Sequence, residues 1–360
     1  MTASWRRPGV GSRGGRASIL VSLVSRLYLG LLAGWLFAEP VGAQIGGINW
    51  FPIGPADILN GQTFMGRNHV SGRATAFAVN PANPNDIWLG TANGGVWHTS
   101  DGGAHWLPMS DDQASLAIGA ITLDGCTSAE CATVYAGTGE NAIRRDTYYG
   151  MGLLIGRKSG GEFKQFVWTL SGQDVFKFGS IYSVLIDPAS SLILYVALSS
   201  GVTASATEST VTAPPPLGGY GIYKSTSGGA NGSWSKLTVP GATGAKPTAL
   251  RMDPTDGKVL YAGFLGRGIF KTMDAGSTWC PLNPGIPLPP GCLASTGLPD
   301  PGSTTFDFVE IAIHRPSAAT PAVLYAVLGN CPDPLGTLDV GGTGSPCHPP
   351  IYKSIDDGKS

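Results

Sequence analysis

The sequence is poor in charged residues and shows no basic surface pattern. Only 13% of the 360 residues are charged, about half the usual share in soluble domains. The net charge is -1, and no Lys/Arg stripe interleaved with aromatic residues occurs, so nucleic acid is not expected as a partner. Glycine and proline, in contrast, supply 53 and 28 positions, which predicts many short strands and turns rather than long helices.

Residues 1–43 are predicted to be a signal peptide. Five arginines, the last of them Arg26, precede an apolar run from Leu27 to Ala38. The small residues at positions 41–43 predict cleavage before Gln44. The alternative is a membrane anchor, but this run is too short to cross roughly 30 Å of hydrocarbon. The mature chain is therefore expected to be secreted or periplasmic, with no membrane span.

Six cysteines in an exported chain predict disulfide bonds rather than a metal site. Pairing each cysteine with its neighbour in sequence closes three short loops and requires no strand to be crossed. The predicted bridges are Cys126–Cys131, Cys280–Cys292 and Cys331–Cys347. No histidine stands at metal-ligand spacing from any of them, so neither a metal nor another cofactor is predicted.

An internal repeat determines the predicted fold class. Two clear copies run from Ala74 to Trp106 and from Thr248 to Trp279, each as strand, turn, strand, loop, strand, turn, strand. A third copy spans residues 181–234, a degenerate copy begins at Ala117, and a fifth begins near Val309. Such units bury their cores against one another, which predicts an all-β array of about five units.

The fifth copy ends inside its last turn. Aligned on the other copies, it places a tryptophan at the position after Ser360. The chain is therefore expected to be a fragment, truncated at the C-terminus within a repeat.

The recurring element Ser/Thr-x-Asp-x-Gly-x-x-Trp describes a tight β-turn. Its carboxylate can accept backbone N–H groups of the same turn, and its glycine can adopt positive φ. Its tryptophan begins the outer strand and offers a large apolar face to the neighbouring sheet. A carboxylate that recurs with a fixed tryptophan is interpreted as structural rather than catalytic or calcium-binding. The residues with this predicted role are Asp101, Gly103, Trp106, Ser227, Trp234, Asp274, Gly276, Trp279, Asp356 and Gly358.

With these turns, residues 50–360 resemble the Asp-box (BNR) β-propeller superfamily. This superfamily includes sialidases, xyloglucan-active glycoside hydrolases, the sortilin receptor domain and photosystem II assembly factors. The resemblance implies that residues 44–360 form an incomplete β-propeller of about five four-stranded blades with Asp-box turns. Because this fold does not fix a function, activity has to be argued from particular residues.

The residues expected of the enzymes in this superfamily are not all present. Sialidases would require an Arg-Ile-Pro element ahead of the first box, which the sequence lacks. Enzymes of the xyloglucanase type carry a catalytic Asp in a turn that reads Thr-Asp-x-Gly-Gly, and Ala92 stands at that position here. A glycosidase needs two opposed carboxylates. One of them is therefore missing from its expected place.

Long insertions predict where a ligand would bind. Residues 139–150, 199–219 and 329–350 all fall between the second and third strands of their repeats. In a four-stranded blade these loops share one rim with the links between blades, and insertions on one face are typical of a binding surface.

The insertion from Glu140 to Tyr149 carries the richest chemistry. Arginine can bind a carboxylate or sulfate through two hydrogen bonds, and tyrosine rings can stack on sugar or peptide faces. In the alternative interpretation the loop satisfies itself, with Arg144 and Arg145 paired to Glu140 and Asp146. Glu140 and Asp146 are the catalytic candidates. The ligand-binding candidates are His69, Arg73, Asp111, Asp112, Glu140, Arg144, Arg145, Asp146, Tyr148 and Tyr149.

Two functional hypotheses follow. The favoured one is a secreted binding or scaffold propeller, monomeric at full length, that recognises a peptide or polysaccharide on its elaborated rim. The alternative is a glycoside hydrolase of the xyloglucanase-like type, whose carboxylates come from the rim loops.

Overall fold

The computed structural model describes residues 58–63, 66–70, 72–141, 147–158, 166–200, 214–302, 308–329 and 350–359. All of them belong to one compact unit, residues 54–360. The predicted signal peptide lies outside the described residues.

The described strands form one hairpin and five antiparallel sheets, which are the blades of the propeller. The hairpin consists of β1 (Ile58–Thr63) and β2 (Gly66–Val70). Blade 1 consists of β3 (Ala74–Asn80), β4 (Asn83–Thr91), β5 (Val96–Thr99) and β6 (Leu107–Pro108). Blade 2 consists of β7 (Ile118–Cys126), β8 (Cys131–Thr138), β9 (Leu153–Lys158) and β10 (Phe166–Ser171).

Helix α1 (Gln173–Phe176) lies in the link between blades 2 and 3. Blade 3 consists of β11 (Ser180–Asp187), β12 (Ser190–Ser199), β13 (Gly221–Ser225) and β14 (Ser235–Lys236). Blade 4 consists of β15 (Pro247–Asp253), β16 (Asp256–Phe264), β17 (Gly268–Thr272) and β18 (Cys280–Pro281). Blade 5 has three described strands, β19 (Phe308–His314), β20 (Val323–Gly329) and β21 (Ile351–Ser354).

The core of the protein lies between successive blades. In β12, Leu194, Val196 and Leu198 pack toward blade 2, whereas Tyr195 and Ala197 pack toward blade 4. Successive side chains of a strand point to opposite faces, so a continuous apolar run serves a strand that is buried on both sides. This alternation explains the continuous apolar runs within the second strands, such as residues 192–198 in β12 and 259–264 in β16.

Glycines in the second strands set the spacing between blades. A Cβ atom on Gly90 would lie 2.6 Å from Ile118 of the next blade, and one on Gly263 would lie 2.5 Å from Val309. Any side chain at these positions would push the neighbouring blade away, because no flexible atom is there to yield.

Hydrogen bonds between the innermost strands recur in the same register. The Thr75 hydroxyl donates to the Ile118 carbonyl, and the Thr248 hydroxyl donates to the Val309 carbonyl at 2.7 Å. Both threonines stand five residues before the end of a first strand, so each joins its blade to the next one in the same way.

The Asp-box turns have the predicted geometry. Asp101 Oδ1 accepts the His105 backbone N–H at 2.9 Å, and Gly103 has a φ of 98°. Asp274 and Gly276 repeat this arrangement, and Asp356 accepts from the backbone N–H of Lys359, one position earlier in the turn, beside a Gly358 that also has positive φ. Hydrogen bonds from His105, together with one from Thr99, hold the pKa of Asp101 well below its usual range.

The sequence analysis gave no role to the hydroxyl that begins each box. The Thr99 hydroxyl donates to Asp101 Oδ1 at 2.7 Å and accepts the Gly103 N–H at 3.0 Å. In blade 3, where Ser227 replaces the aspartate, the Ser225 hydroxyl still accepts the Gly229 N–H at 3.1 Å. The hydroxyl therefore closes the turn even where the carboxylate is absent.

The box tryptophans differ in burial. Trp279 is fully buried between blades 3 and 4, and Trp234 is 8% exposed between blades 2 and 3. Trp106 of blade 1 is only half-buried.

Two predicted disulfide bonds are present. Cys126–Cys131 closes the turn between β7 and β8, and Cys280–Cys292 closes a loop after β18. The predicted Cys331–Cys347 bridge lies outside the described residues. Within the part of the chain that is described, no helix is long and apolar enough to cross a membrane.

Candidate functional site

One rim of the propeller carries the long connections. Residues 139–152, 200–220 and 330–350 connect the second and third strands of blades 2, 3 and 5, whereas blades 1 and 4 use only residues 92–95 and 265–267. We call this end of the blades the elaborated rim. In antiparallel blades it also holds the beginnings of the first strands and the links that leave the fourth strands.

Glu140 is held inside this rim by a partner that the sequence did not suggest. Its carboxylate forms a salt bridge with Arg73, which precedes the first strand of blade 1. The Glu140 side chain is fully buried, and its backbone N–H donates to the Tyr148 carbonyl at 2.9 Å. The pair therefore fastens the insertion of blade 2 to blade 1. The predicted partners Arg144 and Arg145 lie outside the described residues, as does Asp146.

The same insertion packs closely against the first strand of its own blade. A Cβ atom on Gly119 would lie 2.3 Å from the Gly139 carbonyl oxygen, and the Asn141 amide reaches the Thr75 carbonyl at 3.5 Å. Because Gly119 has no side chain, the start of the loop can cross directly over the first strands of blades 1 and 2.

Two tyrosines at the end of the insertion face solvent. Tyr148 is 53% exposed and Tyr149 is 44% exposed. The Tyr149 ring meets the Phe178 ring edge to face at a centroid distance of 5.4 Å, and the Lys177 ammonium lies 5.1 Å from the Phe178 ring. We call these four residues the rim aromatic cluster.

Phe178 is held in a strained backbone conformation. Its φ is 74°, a left-handed value that is rare for a bulky residue, while its N–H donates to the Gly150 carbonyl at 3.0 Å. The adjacent Gly150 N–H donates to the Gly179 carbonyl at 2.7 Å. Strain of this kind costs on the order of 1–3 kcal/mol and persists where the surroundings fix it, often at ligand clamps.

The other rim candidates are dispersed. Asp111 and Asp112 are exposed in the link that follows β6, and Asp112 accepts a hydrogen bond from Gln113. His69 lies in β2, for which only the backbone is described. No described contact connects these residues to the rim aromatic cluster.

A cleft that the sequence did not predict lies on the same rim between blades 3 and 4. The cleft has a volume of about 260 Å³ and is lined by polar residues at its mouth and by apolar residues below. The main lining residues are Tyr220, Lys236, Thr238, Val239, Thr243 and Phe264. Nothing in the sequence signals this site, because its residues come from a loop end, a short strand and a link that are neighbours only in space.

Lys236 lines this cleft, and Lys246 lies next to Tyr220, another of its lining residues. Lys236 Nζ approaches the Gly218 carbonyl at 3.4 Å, and Lys246 Nζ lies 5.1 Å from the Tyr220 ring. Burial lowers the pKa of both ammonium groups, because each loses part of its hydration.

A histidine–aspartate pair lies at the opposite rim, where it is inaccessible to solvent. His98 Nε2 and Asp86 Oδ1 are 2.8 Å apart, and both side chains are almost fully buried. Burial lowers the pKa of His98, although the hydrogen bond to Asp86 opposes this effect. Asn80 joins Asp86 to the Thr127 carbonyl of blade 2, with both distances at 2.9 Å. The network therefore links two blades.

Metal-binding chemistry finds no support in the described ranges. No group of three or more His, Cys, Asp and Glu side chains there could hold a metal ion.

Comparison with known proteins gives matches among solved structures alone. No family model and no curated protein matches the chain. An ancestral GH74 enzyme matches with a TM-score of 0.50 and 16% identity, over 80% of this chain and 30% of that chain. The GH74 xyloglucanase from Xanthomonas campestris gives a TM-score of 0.47 and 18% identity, over 70% of this chain and 36% of that chain. YCF48 from Cyanidioschyzon merolae gives a TM-score of 0.40 and 15% identity, over 85% of this chain and 87% of that chain.

These matches and the turn geometry define the class of protein. The chain has the all-β fold of a β-propeller with Asp-box turns, and its fold is similar to that of the ancestral GH74 enzyme. It spans about a third of the length of the two GH74 structures. At this level of identity the likeness establishes the fold and leaves the activity to the site residues.

The burial of Glu140 leads to a testable expectation about its role. Replacing Glu140 by Gln removes the charge that pairs with Arg73, and we expect the free energy of unfolding to fall by about 1–3 kcal/mol. Urea denaturation followed by circular dichroism measures this loss. Asp112→Asn, an exposed change on the same rim, is the matched control and should have no effect. Loss of a hydrolytic activity at unchanged stability would instead identify Glu140 as catalytic.

Proposed function

We propose that this protein is an exported binding propeller that recognises a polysaccharide on its elaborated rim. The observation that carries the proposal is the pair of exposed tyrosines, Tyr148 and Tyr149, presented on a rim that is fixed in place. An exposed aromatic ring loses little conformational entropy when it binds and offers a flat apolar face to a sugar ring. Export is supported by the pattern of residues 1–43 and by the two disulfide bonds.

The two described ends of the blade 2 insertion are suited to binding because each is held before a ligand arrives. The salt bridge of Arg73 with Glu140 anchors one end of the insertion, and the hydrogen bond from Phe178 to Gly150 anchors the other. A preorganised surface does not have to be ordered by its ligand, so more of the contact energy appears as affinity.

A binding role is favoured over hydrolysis by the position of Glu140. A glycosidase needs both of its carboxylates at the scissile bond. The Glu140 carboxylate is buried against Arg73 and does not reach the surface. A peptide ligand is the second candidate that the sequence suggests, and the absence of binding to any polysaccharide would favour it.

The test measures how well the unmodified protein and its rim variants bind neutral polysaccharides. Binding of xyloglucan and β-glucan is measured by affinity electrophoresis and calorimetry, and product release is measured on the same samples. We expect binding without turnover, and we expect Tyr149→Ala to weaken it roughly two- to tenfold, the range for one aromatic contact.

Tyr325→Ala is the matched control. Tyr325 is 43% exposed, close to the value for Tyr149, but lies in the middle of β20 away from the rim. Equal losses in the two variants, or no binding to any polysaccharide, would contradict the proposal. Release of oligosaccharides by the unmodified protein would favour the glycoside hydrolase.

A further inference from the structure

We infer that the cleft between blades 3 and 4 binds the carboxylate-bearing ring of an acidic polysaccharide, with Lys236 in its lining and Lys246 beside its Tyr220. This inference rests on the proposed function and names the class of sugar that the rim selects. The relevant sugars are uronic acids, whose rings combine one carboxylate with several hydroxyl groups.

Lys236 is positioned by the backbone beneath it. Its Nζ approaches the Gly218 carbonyl at 3.4 Å and lies 5.9 Å from the Tyr223 ring. A Cβ atom on Gly221 would lie 2.8 Å from the Lys236 Cε, so the lysine stem rests directly on the glycine backbone. An ammonium group has three N–H donors, and the Gly218 carbonyl accepts from only one of them.

In the described part of the chain, Lys236 forms no salt bridge with a carboxylate. The partial loss of hydration that lowers its pKa is therefore not offset by a nearby negative charge there. A carboxylate from a ligand would supply that charge through a charge-assisted hydrogen bond.

Tyr220 lines the cleft, and Lys246 lies next to Tyr220. The Lys246 ammonium lies 5.1 Å from the Tyr220 ring, and burial lowers its pKa as well. Thr238 and Thr243 add exposed hydroxyl groups, whereas Val239 and Phe264 form an apolar floor. Cations, hydroxyls and an apolar floor together match the edges and the face of an acidic sugar.

The size of the cleft favours a single ring. Its volume of about 260 Å³ is just below the roughly 300 Å³ at which pockets for drug-sized ligands begin. A longer polymer would therefore place one residue in the cleft and continue over the rim.

A short backbone segment connects the cleft to the rim aromatic cluster. The Leu217 N–H donates to the Lys177 carbonyl at 3.2 Å, and the next residue, Gly218, contacts Lys236. One short segment thus borders both surfaces, and we expect a polymer that lies on Tyr149 to extend toward the cleft.

The experiment uses two forms of one polymer, polygalacturonate and its fully methyl-esterified derivative. The ester keeps the sugar backbone and removes the charge. We expect the protein to bind the charged form more tightly at low salt, and to lose this preference as salt rises. Lys236→Met and Lys246→Met keep most of the apolar stem, and each should weaken binding of the charged form roughly tenfold to a hundredfold.

Lys258→Met is the control, because Lys258 is an exposed lysine of β16 at the opposite rim. The inference is wrong if the ester binds equally well, if the control loses as much as the cleft variants, or if polyglutamate binds more tightly than polygalacturonate. Binding of both polymer forms that depends on Tyr149 but on neither lysine would reject the inference and leave the proposed function intact. No binding of either form or of neutral polysaccharides would reject both.

Discussion

Replacing Arg315 by Met should lower the free energy of unfolding by about 3–5 kcal/mol, the usual cost of breaking a buried ion pair from one side. Arg315 follows the first strand of blade 5, and its Nε lies 3.1 Å from Asp253 Oδ2 of blade 4. Asp253 has no exposed side-chain surface, so the change leaves a buried carboxylate without its cation. Arg315 also pairs with Asp357, which would lose that partner too. Urea denaturation measures the loss.

Two further variants test the reason for this effect. Arg251→Met breaks a second ion pair between blades 4 and 5, to Glu310, but both side chains are more than a third exposed. Solvent screens such a pair, and we expect a loss below about 1 kcal/mol. Adding Asp253→Asn to Arg315→Met removes the buried charge and should recover part of the stability. Equal losses for Arg315→Met and Arg251→Met would show that burial of Asp253 is not the cause.

Replacing Trp279 by Ala should lower the free energy of unfolding by a similar amount, about 3–5 kcal/mol, because it opens a large cavity between blades 3 and 4. The indole is fully buried and shares its core cluster with Tyr195, Leu260 and Phe270. Neighbouring strands cannot close the space, since the hydrogen bonds of two blades fix them. Circular dichroism during urea denaturation is the suitable measurement, because the substitution itself changes the fluorescence.

Trp106→Ala is the matched control for this prediction. Trp106 occupies the same position in the box of blade 1 but is only half-buried. We expect a loss of about 1 kcal/mol, in proportion to the smaller apolar area that it removes from water. Equal losses at the two positions would mean that the tryptophan stabilises the Asp-box turn itself rather than the interface between blades.

The repeat made much of the fold predictable. Strand alternation, the turn at Asp101 and the pairing of neighbouring cysteines all depend on residues close together in sequence, where spacing constrains geometry. The structure has the corresponding strands, turns and two disulfide bonds. The position of the long insertions followed from the same argument, since the order of strands within a blade determines which loops share a rim.

The partners of buried charges were not predictable in this way. The sequence analysis paired Glu140 with arginines of its own loop as one interpretation, but its described partner is Arg73, which lies 67 positions earlier (140 minus 73) in another blade. Arg315 and Asp253 are likewise joined across two blades. A salt bridge requires only that two charges meet in space, and sequence spacing carries no information on contacts between blades.

The amino-acid sequence by itself determined the class of fold, because a four-strand unit repeated with a fixed turn can bury its apolar faces only against further units of the same kind. Only the tertiary structure determined which side chains of the rim are buried and which are exposed. It buried Glu140, exposed Tyr148 and Tyr149, and brought Tyr220, Lys236 and Phe264 together at one cleft. The physical reason is that turns are specified by neighbouring residues, whereas burial and charge pairing depend on how separate blades pack.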